Sequence, residues 1–418
     1  MFVIKKGMVI RVNYFWKNDL VELKMLDDDR KVFLEKSLYD FETRKYIEKG
    51  IPFPVIKDTA DKMIEQARVA CKEGEELWFS ILNPKDEMVG YAVANCFDER
   101  MGNVQMYIVI FEEYRRKHYA RNAAKILMDY LFLERRFHRV GCCLLENNFG
   151  AEQFVKQMGF TLEAFRSEMF YTQGKYLGES YYSLLSNEYE SGQKEDDRYE
   201  RKEYHSYKVY DCNLGEHQKN TEYVSIHKER KYFWEYAGIC LRDMRQEDYL
   251  KMHEMVYDTD ACVLFDSDVK LPYVEEELSE SEKSHLQFGG NNDRIEFAIT
   301  DEDGNFVGNI NLCGIDNKNG KFSYSIYVLC EHRGKKYAQK ALHLLLYYAF
   351  EELRMHKLIT CVNMGNGPSA GMMRNVGCVV EGVLRDNMFY HGKYVDTVVM
   401  GLTEEEYREK CEIRKAKK

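Results

Sequence analysis

Apolar residues follow two different periods along the chain, in an order that occurs twice. Between positions 61 and 73 they recur every three or four residues, and Gly74 follows, which predicts an amphipathic helix that ends at this glycine. Short apolar runs separated by turn-forming residues then predict an antiparallel meander of strands. These strands are expected at 78–82, 89–96 and 104–111 in the first half and at 297–300, 307–313 and 322–330 in the second half.

Each meander is followed by a basic loop, a long helix with an apolar face, and a short apolar strand. That strand is expected at 140–145 in the first half and at 358–362 in the second. A strand, helix, strand unit of this kind places its two strands parallel. The hairpin that closes each half, with Gly174 or Gly392 at its turn, is antiparallel. The pattern therefore predicts an α/β fold with a mixed, mostly antiparallel sheet flanked by helices.

The second half of the chain repeats the first at a constant spacing of 218 positions (for example 308 − 90). The matched positions include Asp40 and Asp258, Gly90 and Gly308, Arg115 and Arg333, and Gly159 and Gly377. Chance matches would lose this register at every loop, so the constant spacing indicates a duplicated domain. A chain of 418 residues has room for two domains of ordinary size. We predict a first domain over 1–189, a charged linker over 190–218 and a second domain over 219–418.

Composition and charge narrow the classes of function. The net charge of −10 disfavours a nucleic-acid partner, because Lys and Arg must neutralise the phosphates. No apolar run approaches the roughly 18 residues that cross a membrane, and the first residues are too charged for a secretory signal, so we expect no membrane partner and a cytoplasmic location. The cysteines lack metal-site spacing, so we expect no metal and buried free thiols, as at Cys142, Cys143, Cys361 and Cys378.

The basic loops carry the clearest chemical signal. A loop that enters the N-terminus of a helix offers free backbone N–H groups and the positive end of the helix dipole, and nearby Arg or Lys side chains add charge-assisted hydrogen bonds. Because such a loop occurs twice, between an apolar strand and an apolar-faced helix, we predict a phosphate site in each half. The candidate residues are Arg115, Arg116, Lys117, His118, Tyr119 and Ala120 in the first half, and Arg333, Gly334, Lys335, Lys336, Tyr337 and Ala338 in the second.

These residues resemble the GCN5-related N-acetyltransferase (GNAT) family, whose acetyl-CoA loop has the pattern Arg/Gln-x-x-Gly-x-Gly/Ala before its central helix. Downstream, the sequence Asn-Gly-Pro-Ser at 366–369 and the segment 381–386 are similar to the branch with ribosomal-protein N-terminal acetyltransferases and spermidine acetyltransferases. The resemblance implies two tandem GNAT (acyl-CoA N-acyltransferase) folds. It also implies acetyl-CoA as the donor and an amine as the acceptor.

The resemblance further implies where the donor lies. In the family, the third meander strand splays from its neighbour, and its exposed backbone groups pair with the pantetheine arm like an added strand. The loops and helix starts then hold the pyrophosphate. The contacts implied along the strands are Tyr327, Val328 and Leu329 in the second half and Val109 and Ile110 in the first, and those implied downstream are Asn366 and Asn148.

Both halves depart from the family pattern. His118 and Lys336 stand where the first motif glycine is usual, which puts the close approach of the backbone to the donor in question. The tyrosine that serves the departing thiolate in many members is replaced by Val155 and Met373. Ser369 is the remaining hydroxyl, and we expect it either to act on the thiolate or to cap the following helix. Its counterpart is Ala151, so the second domain is the expected catalyst.

The sequence thus predicts an acetyl-CoA-dependent N-acetyltransferase that acts on a primary amine: a protein N-terminus, a polyamine or a small-molecule amine. Two other classes stay open. One is a non-catalytic acyl-CoA or ligand-binding protein with degenerate GNAT domains, and the other is an aminoacyl-tRNA-dependent transferase. The first domain is expected to be active, to bind CoA without turnover, or to act as the partner in an intramolecular pseudo-dimer.

Overall fold

In the computed structural model the chain divides into two compact units, Met1–Tyr199 and Glu200–Lys418. The structure describes residues 2–5, 8–11, 15–56, 58–192, 232–252, 258, 294–390 and 392–416. Beyond residue 192, the expected linker over 190–218 lies outside the described residues. Its limits, and those of the two domains beside it, stay predictions.

The first unit alternates helices and strands in the predicted order. Its strands are β1 (Phe2–Lys5), β2 (Met8–Arg11), β3 (Glu22–Met25), β4 (Glu76–Leu82), β5 (Met88–Asp98), β6 (Asn103–Ile110), β7 (Arg139–Leu145), β8 (Thr161–Thr172) and β9 (Lys175–Leu185). Its helices are α1 (Lys31–Ser37), α2 (Phe41–Ile47), α3 (Thr59–Glu73), α4 (Tyr119–Asp129), α5 (Phe149–Gln157) and α6 (Ser186–Gly192).

One sheet in the first unit has the order β8-β9-β7-β6-β5-β4-β3, while β1 and β2 form a separate hairpin. Its neighbouring strands are antiparallel except β6 and β7, which the crossover through α4 makes parallel. The apolar face of α4, with Ala123 and Leu127 fully buried, packs in one core cluster of the sheet. Leu34 of α1 and Ile64 of α3 belong to another cluster.

The second unit repeats this arrangement. Its described strands are β10 (Glu235–Tyr236), β11 (Ile239–Arg242), β12 (Arg294–Thr300), β13 (Phe306–Asp316), β14 (Lys321–Val328), β15 (Lys357–Asn363), β16 (Val379–Tyr390) and β17 (Lys393–Thr403). Its described helices are α7 (Gln246–Met252), α8 (Tyr337–Tyr347), α9 (Gly367–Val376) and α10 (Glu404–Ala416). The sheet order is β10-β11-β12-β13-β14-β15-β17-β16, and β14 and β15 are its parallel pair. Helix α8 fills the main core, with Ala341 and Leu345 fully buried.

The predicted α/β fold, with two mixed sheets flanked by helices, is confirmed. The predicted helix over 61–73 is α3, and Gly74 ends it in the left-handed conformation at φ 77°. Each long helix after the basic loop ends in one π-helical turn, Tyr130–Glu134 or Tyr348–Glu352. The sequence pattern did not predict these turns, because apolar spacing does not distinguish one widened turn from regular helix.

The cysteine prediction is correct only in part. The cysteines in the described part of the chain are free, and Cys142 and Cys378 are buried. Burial raises the pKa of Cys378 to about 12, so it stays a thiol. Cys361, however, is exposed, because side chains along a strand alternate between faces and its neighbours Thr360 and Val362 take the buried positions of β15. No described helix is long and apolar enough to cross a membrane.

Candidate active site

The parallel strands of each unit separate soon after they meet. In the second unit, β14 pairs with β15 only at Lys321 and Phe322, although β14 stays paired with β13 as far as Val328. In the first unit, β6 pairs with β7 only from Asn103 to Gln105. The rest of β14 and β6 therefore has an edge without a partner strand among the described residues. An extended ligand can pair with such an edge through its own polar groups.

The alternation of strand hydrogen bonds tells which backbone groups face this opening. The N–H of Leu329 donates to the carbonyl of Val307 at 3.0 Å, so the N–H and C=O of Val328 point to the opposite edge, toward the opening. In the first unit, the N–H of Phe111 donates to the carbonyl of Val89 at 3.0 Å, and Ile110 faces the opening in the same way. Val328 and Ile110, both predicted donor contacts, thus present their backbone there.

A glycine of the neighbouring strand lies opposite the last residue of each splayed strand. A Cβ at Gly308 would lie 2.2 Å from the carbonyl oxygen of Tyr327, and one at Gly90 would lie 2.0 Å from that of Val109. Carbon and oxygen atoms cannot approach so closely without movement of the backbone, so only glycine fits these positions. The repeat of glycine at both positions was visible in the sequence, but the close approach that explains it was not.

The basic loop has the same backbone conformation in both units. Gly334 and Lys336 have φ values of 79° and 63°, and their counterparts Arg116 and His118 both have 62°. Left-handed backbone costs a residue other than glycine roughly 1–2 kcal/mol. Lys336 and His118 therefore keep the conformation of the motif glycine despite their side chains. What they lack is the small size of glycine.

The helices that follow the two loops begin without a side-chain cap. Neither His118 before α4 nor Lys336 before α8 accepts a hydrogen bond from the first turn, and neither first turn carries an acidic residue. The downstream helices differ, because Asn148 caps α5 and Asn366 caps α9, the latter by accepting from the N–H of Ser369 at 3.2 Å. The starts of α4 and α8 are thus suited to an anion.

The lysines of both loops are exposed, and Arg115 and Arg333, although also exposed, are bonded to backbone carbonyls and aspartates of the protein. In the second unit, Lys335 and Lys336 are exposed beside the start of α8. Nε of Arg333 donates to the carbonyl of Val328 at 3.0 Å, and Nη1 lies 2.8 Å from Oδ2 of Asp258. Arg115 makes the corresponding contacts with Ile110 and Asp40. That these arginines belong to the donor site stays a prediction.

Asp40 also lines a cavity in the first unit. The cavity measures about 220 Å³ and lies beside the end of β6. Its lining residues are Lys36, Ser37, Tyr39, Asp40, Phe111, Glu112 and Glu113. Three of them carry carboxylates, of which Asp40 is already paired with Arg115, and Lys36 adds a positive charge.

The second unit has two hydroxyl groups in the region of the expected acid. Since Asn366 caps α9, Ser369 is not the cap, and the helix-cap alternative for Ser369 is wrong. Met373, at the position of the family tyrosine, is fully buried, and its sulfur accepts a hydrogen bond from the Tyr324 hydroxyl at 3.0 Å. Burial raises the pKa of the Tyr324 phenol, so it stays protonated. Sequence reasoning missed Tyr324, because nothing along the chain links β14 to α9.

Glu163 and Glu381 are each paired with a buried basic side chain. Glu381 lies 2.5 Å from Nζ of Lys357, and Glu163 lies 2.5 Å from Nη2 of Arg139. All four side chains are buried, at 9% exposure or less. A carboxylate held in this way is not available as a general base. Among the described residues, no group of His, Cys, Asp and Glu side chains could hold a metal ion.

The chain is similar in sequence to known acetyltransferases. Two family models, both described as an acetyltransferase (GNAT) domain, match residues 46–180 and 239–379. An uncharacterized N-acetyltransferase derived from the SPbeta prophage of Bacillus subtilis is 30% identical over 186 residues, which are 42% of this chain and 95% of that protein. The spermidine N(1)-acetyltransferase of Vibrio cholerae is 27% identical over 137 residues, which are 33% of this chain and 78% of that protein.

Among solved structures, the spermidine N-acetyltransferase of Vibrio cholerae in complex with CoA and spermine is similar to this chain with a TM-score of 0.38 and 22% identity. The match covers 41% of this chain and 98% of that one. The two domain matches, and the prophage-derived relative that aligns over nearly its whole length, show that the chain is an acetyltransferase of the GNAT family with two GNAT domains in tandem.

Proposed function

We propose that the chain transfers an acetyl group from acetyl-CoA to a primary amine, with turnover in the second unit. One observation carries this proposal: in both units an open strand edge leads through a left-handed loop into an uncapped helix start. The edge suits the amide groups of a pantetheine arm, and the helix start suits a pyrophosphate. The family of the chain agrees with this donor.

The proposed donor site in the second unit consists of two parts. Val328, whose backbone faces the opening, holds the arm at the end of β14, while the backbone groups of its neighbours Tyr327 and Leu329 face β13. The loop from Gly334 to Ala338 holds the phosphates, and Asn366 is assigned to the same site. In the first unit, Ile110, whose neighbour Val109 faces β5, the loop from Arg116 to Ala120, and Asn148 take the corresponding positions. These assignments rest on two observations, the open strand edge and the exposed lysines of each loop.

The reaction itself needs two hydrogen-bond donors from the protein, one for the carbonyl oxygen and one for the sulfur, and the proton that leaves the attacking nitrogen ends on the sulfur. The neutral amine attacks the thioester carbonyl carbon, and the carbonyl oxygen gains negative charge. The N–H of Val328, which faces the opening, is placed to donate a hydrogen bond to that oxygen. When the carbon–sulfur bond breaks, the thiolate needs a hydrogen-bond or proton donor, and we assign that role to Ser369.

The second unit is the proposed catalyst because the first unit lacks these hydroxyl groups. The counterparts of Tyr324, Met373 and Ser369 are Met106, Val155 and Ala151, none of which can donate a proton. A first unit that binds acetyl-CoA would therefore release its thiolate slowly. We propose that its main contribution is binding rather than turnover.

The acceptor is proposed to be a polyamine or another small cationic amine. Relatives of 27% and 28% identity are named spermidine N(1)-acetyltransferases, which supports a polyamine acceptor. The test is to incubate the full chain with acetyl-CoA and a panel of polyamines, amino sugars and peptide N-termini, and to follow the release of free thiol. We expect thiol release with at least one amine. CoA binding without release for any amine would instead favour a non-catalytic binding protein.

A further inference from the structure

We infer that Arg333 in the second unit and Arg115 in the first are positioning residues, each of which ties the open end of the splayed strand to an aspartate far upstream in the sequence. This inference rests on the proposed function, because it assumes that the acyl end of the donor lies at that edge. It gives the two guanidinium groups a different role from a direct phosphate contact.

The contacts in the first unit define the arrangement. Nε of Arg115 donates to the carbonyl of Ile110 at 3.2 Å, and Nη2 donates to Oδ2 of Asp40 at 2.8 Å. The same nitrogen contacts the hydroxyl of Thr43. Asp40 is held in turn, because its side chain caps α2 by accepting from the N–H of Thr43 at 3.0 Å. The guanidinium thus connects the start of α2 to the last residue of β6.

The second unit contains the same connection at the same positions of the repeat. Nε of Arg333 donates to the carbonyl of Val328 at 3.0 Å, and Nη1 lies 2.8 Å from Oδ2 of Asp258. The guanidinium also lies over the ring of Tyr327, with 5.5 Å to its centroid. Arginine, aspartate and carbonyl therefore form one set in each unit. The intervening loop positions differ, since Gly334 and Lys336 correspond to Arg116 and His118.

The charges also favour positioning over phosphate binding. Asp258 and Asp40 are mostly buried, at 21% and 11% exposure, and each offsets the charge of its arginine. A guanidinium that already bonds a carboxylate and a carbonyl has fewer donors for a phosphate. Its rigid, planar fork instead fixes the angle between the two groups that it joins.

The consequence concerns the backbone that faces the opening. The carbonyl held by each arginine belongs to Val328 or Ile110, whose N–H points toward the same edge. An arginine that holds this carbonyl in place also holds the adjacent peptide groups, which the thioester of the donor would contact. A small displacement at a reacting centre lowers the rate by up to about 10²-fold. The connection should therefore affect turnover more than the affinity for CoA.

The test is a double-mutant cycle in the full chain, with Arg333→Gln, Asp258→Asn and both together, measured by steady-state kinetics and by calorimetry with CoA. We expect each single variant to lower kcat about tenfold and the double variant to be no worse than either, because the two residues act as one unit. The CoA dissociation constant should change less than about threefold, which is no more than the change expected when one weak contact is lost. Arg333→Lys should not restore kcat, because lysine lacks the fork.

Arg408→Gln is the control for this cycle, which is made in the second unit because turnover is proposed to occur there. Arg408 is another exposed arginine of the second unit, which pairs with Glu351 at 3.3 Å away from the loop. A CoA affinity at least tenfold weaker in Arg333→Gln but unchanged in Asp258→Asn would overturn the inference in favour of a phosphate contact. An unchanged kcat in both Arg333→Gln and Asp258→Asn would also overturn it. Failure of the unmodified chain to bind CoA would instead reject the proposed function.

Discussion

The two units keep the same backbone around the candidate site while their side chains differ. Both splayed strands end opposite a glycine that packs against a backbone carbonyl, and both loops place two residues in the left-handed conformation. The first unit, however, has Arg116 and His118 in the loop where the second has Gly334 and Lys336. The comparison shows that the same backbone arrangement around the proposed donor site is compatible with two different sets of side chains.

The difference between the units is largest at the sulfur end of the site. The second unit has a hydroxyl on β14 and another on α9, whereas the first has Met106 and Ala151 there. Shape alone is sufficient for binding, but proton donation needs a hydroxyl or another titratable group. We therefore expect both units to bind the donor and only the second to release product quickly.

The strongest test of this difference is removal of the hydroxyl on α9. Ser369→Ala should lower kcat by about 10²–10⁴-fold, because an acid that acts in the transition state contributes that much. The affinity for CoA should remain nearly unchanged, since the contact belongs to the transition state. Stopped-flow measurement of thiol release together with calorimetry would check both values.

Two further variants make this test decisive. Ser186→Ala is the control, because Ser186 begins α6 in the first unit and its hydroxyl oxygen lies 3.5 Å from Nδ1 of His138, outside the candidate site. Tyr324→Phe removes the other hydroxyl and keeps the ring. If Tyr324→Phe loses the activity and Ser369→Ala keeps it, the role in thiolate release belongs to Tyr324.

A matched pair of glycine substitutions compares the two splayed strands directly. Gly308→Ala and Gly90→Ala each place a Cβ within 2.2 Å of a backbone oxygen, so both should destabilise their unit by about 1–3 kcal/mol. Only Gly308→Ala should also lower kcat, by about 10²-fold, because it displaces the backbone of the proposed catalyst. Circular dichroism would confirm that both variants fold, and kinetic assays would follow. A larger loss of activity in Gly90→Ala would show that the first unit is the catalyst.

The smallest expected effect concerns stability in acid. In the second unit, Asp248 is almost fully buried and accepts a hydrogen bond from Arg242 at 2.6 Å. Burial by itself would raise the pKa of Asp248. The Arg242 guanidinium and the N–H of Arg245 outweigh this effect and lower the pKa below its usual value. A carboxyl group with a lowered folded-state pKa stabilises the protein above its unfolded pKa of about 3.9, and this contribution is lost as the pH falls through the folded value. The position of Asp248 is Arg30 in the first unit.

In the first unit Arg30 pairs instead with Asp86, which is 64% exposed, at 3.4 Å. Exposed pairs contribute at most about 1 kcal/mol. Asp248→Asn should therefore reduce the loss of thermal stability between pH 7 and pH 3, while Asp86→Asn should change it little. Melting curves over this pH range would check the prediction, and equal effects of the two variants would contradict it.

The sequence determined the duplication, the order of the elements and the position of the basic loops. These follow from features that are local or periodic, such as the glycine that ends α3 and the constant spacing between Arg115 and Arg333. The family pattern in the loop also depends only on consecutive residues. Such signals survive in a single chain because they do not require knowledge of which segments meet in space.

Tertiary structure decided what the candidate residues contact. Nothing in the sequence indicated that Arg333 bonds Asp258, that Tyr324 donates to Met373, or that Asn366 rather than Ser369 caps α9. Each of these contacts depends on side-chain direction, and the first two also join segments that are far apart in sequence. The separation of β14 from β15 was implied only by the family resemblance and not by the residue pattern, since a strand shows its hydrophobic period whether or not a neighbour pairs with it. The chemistry of the site therefore became visible only when packing had fixed which groups face the opening.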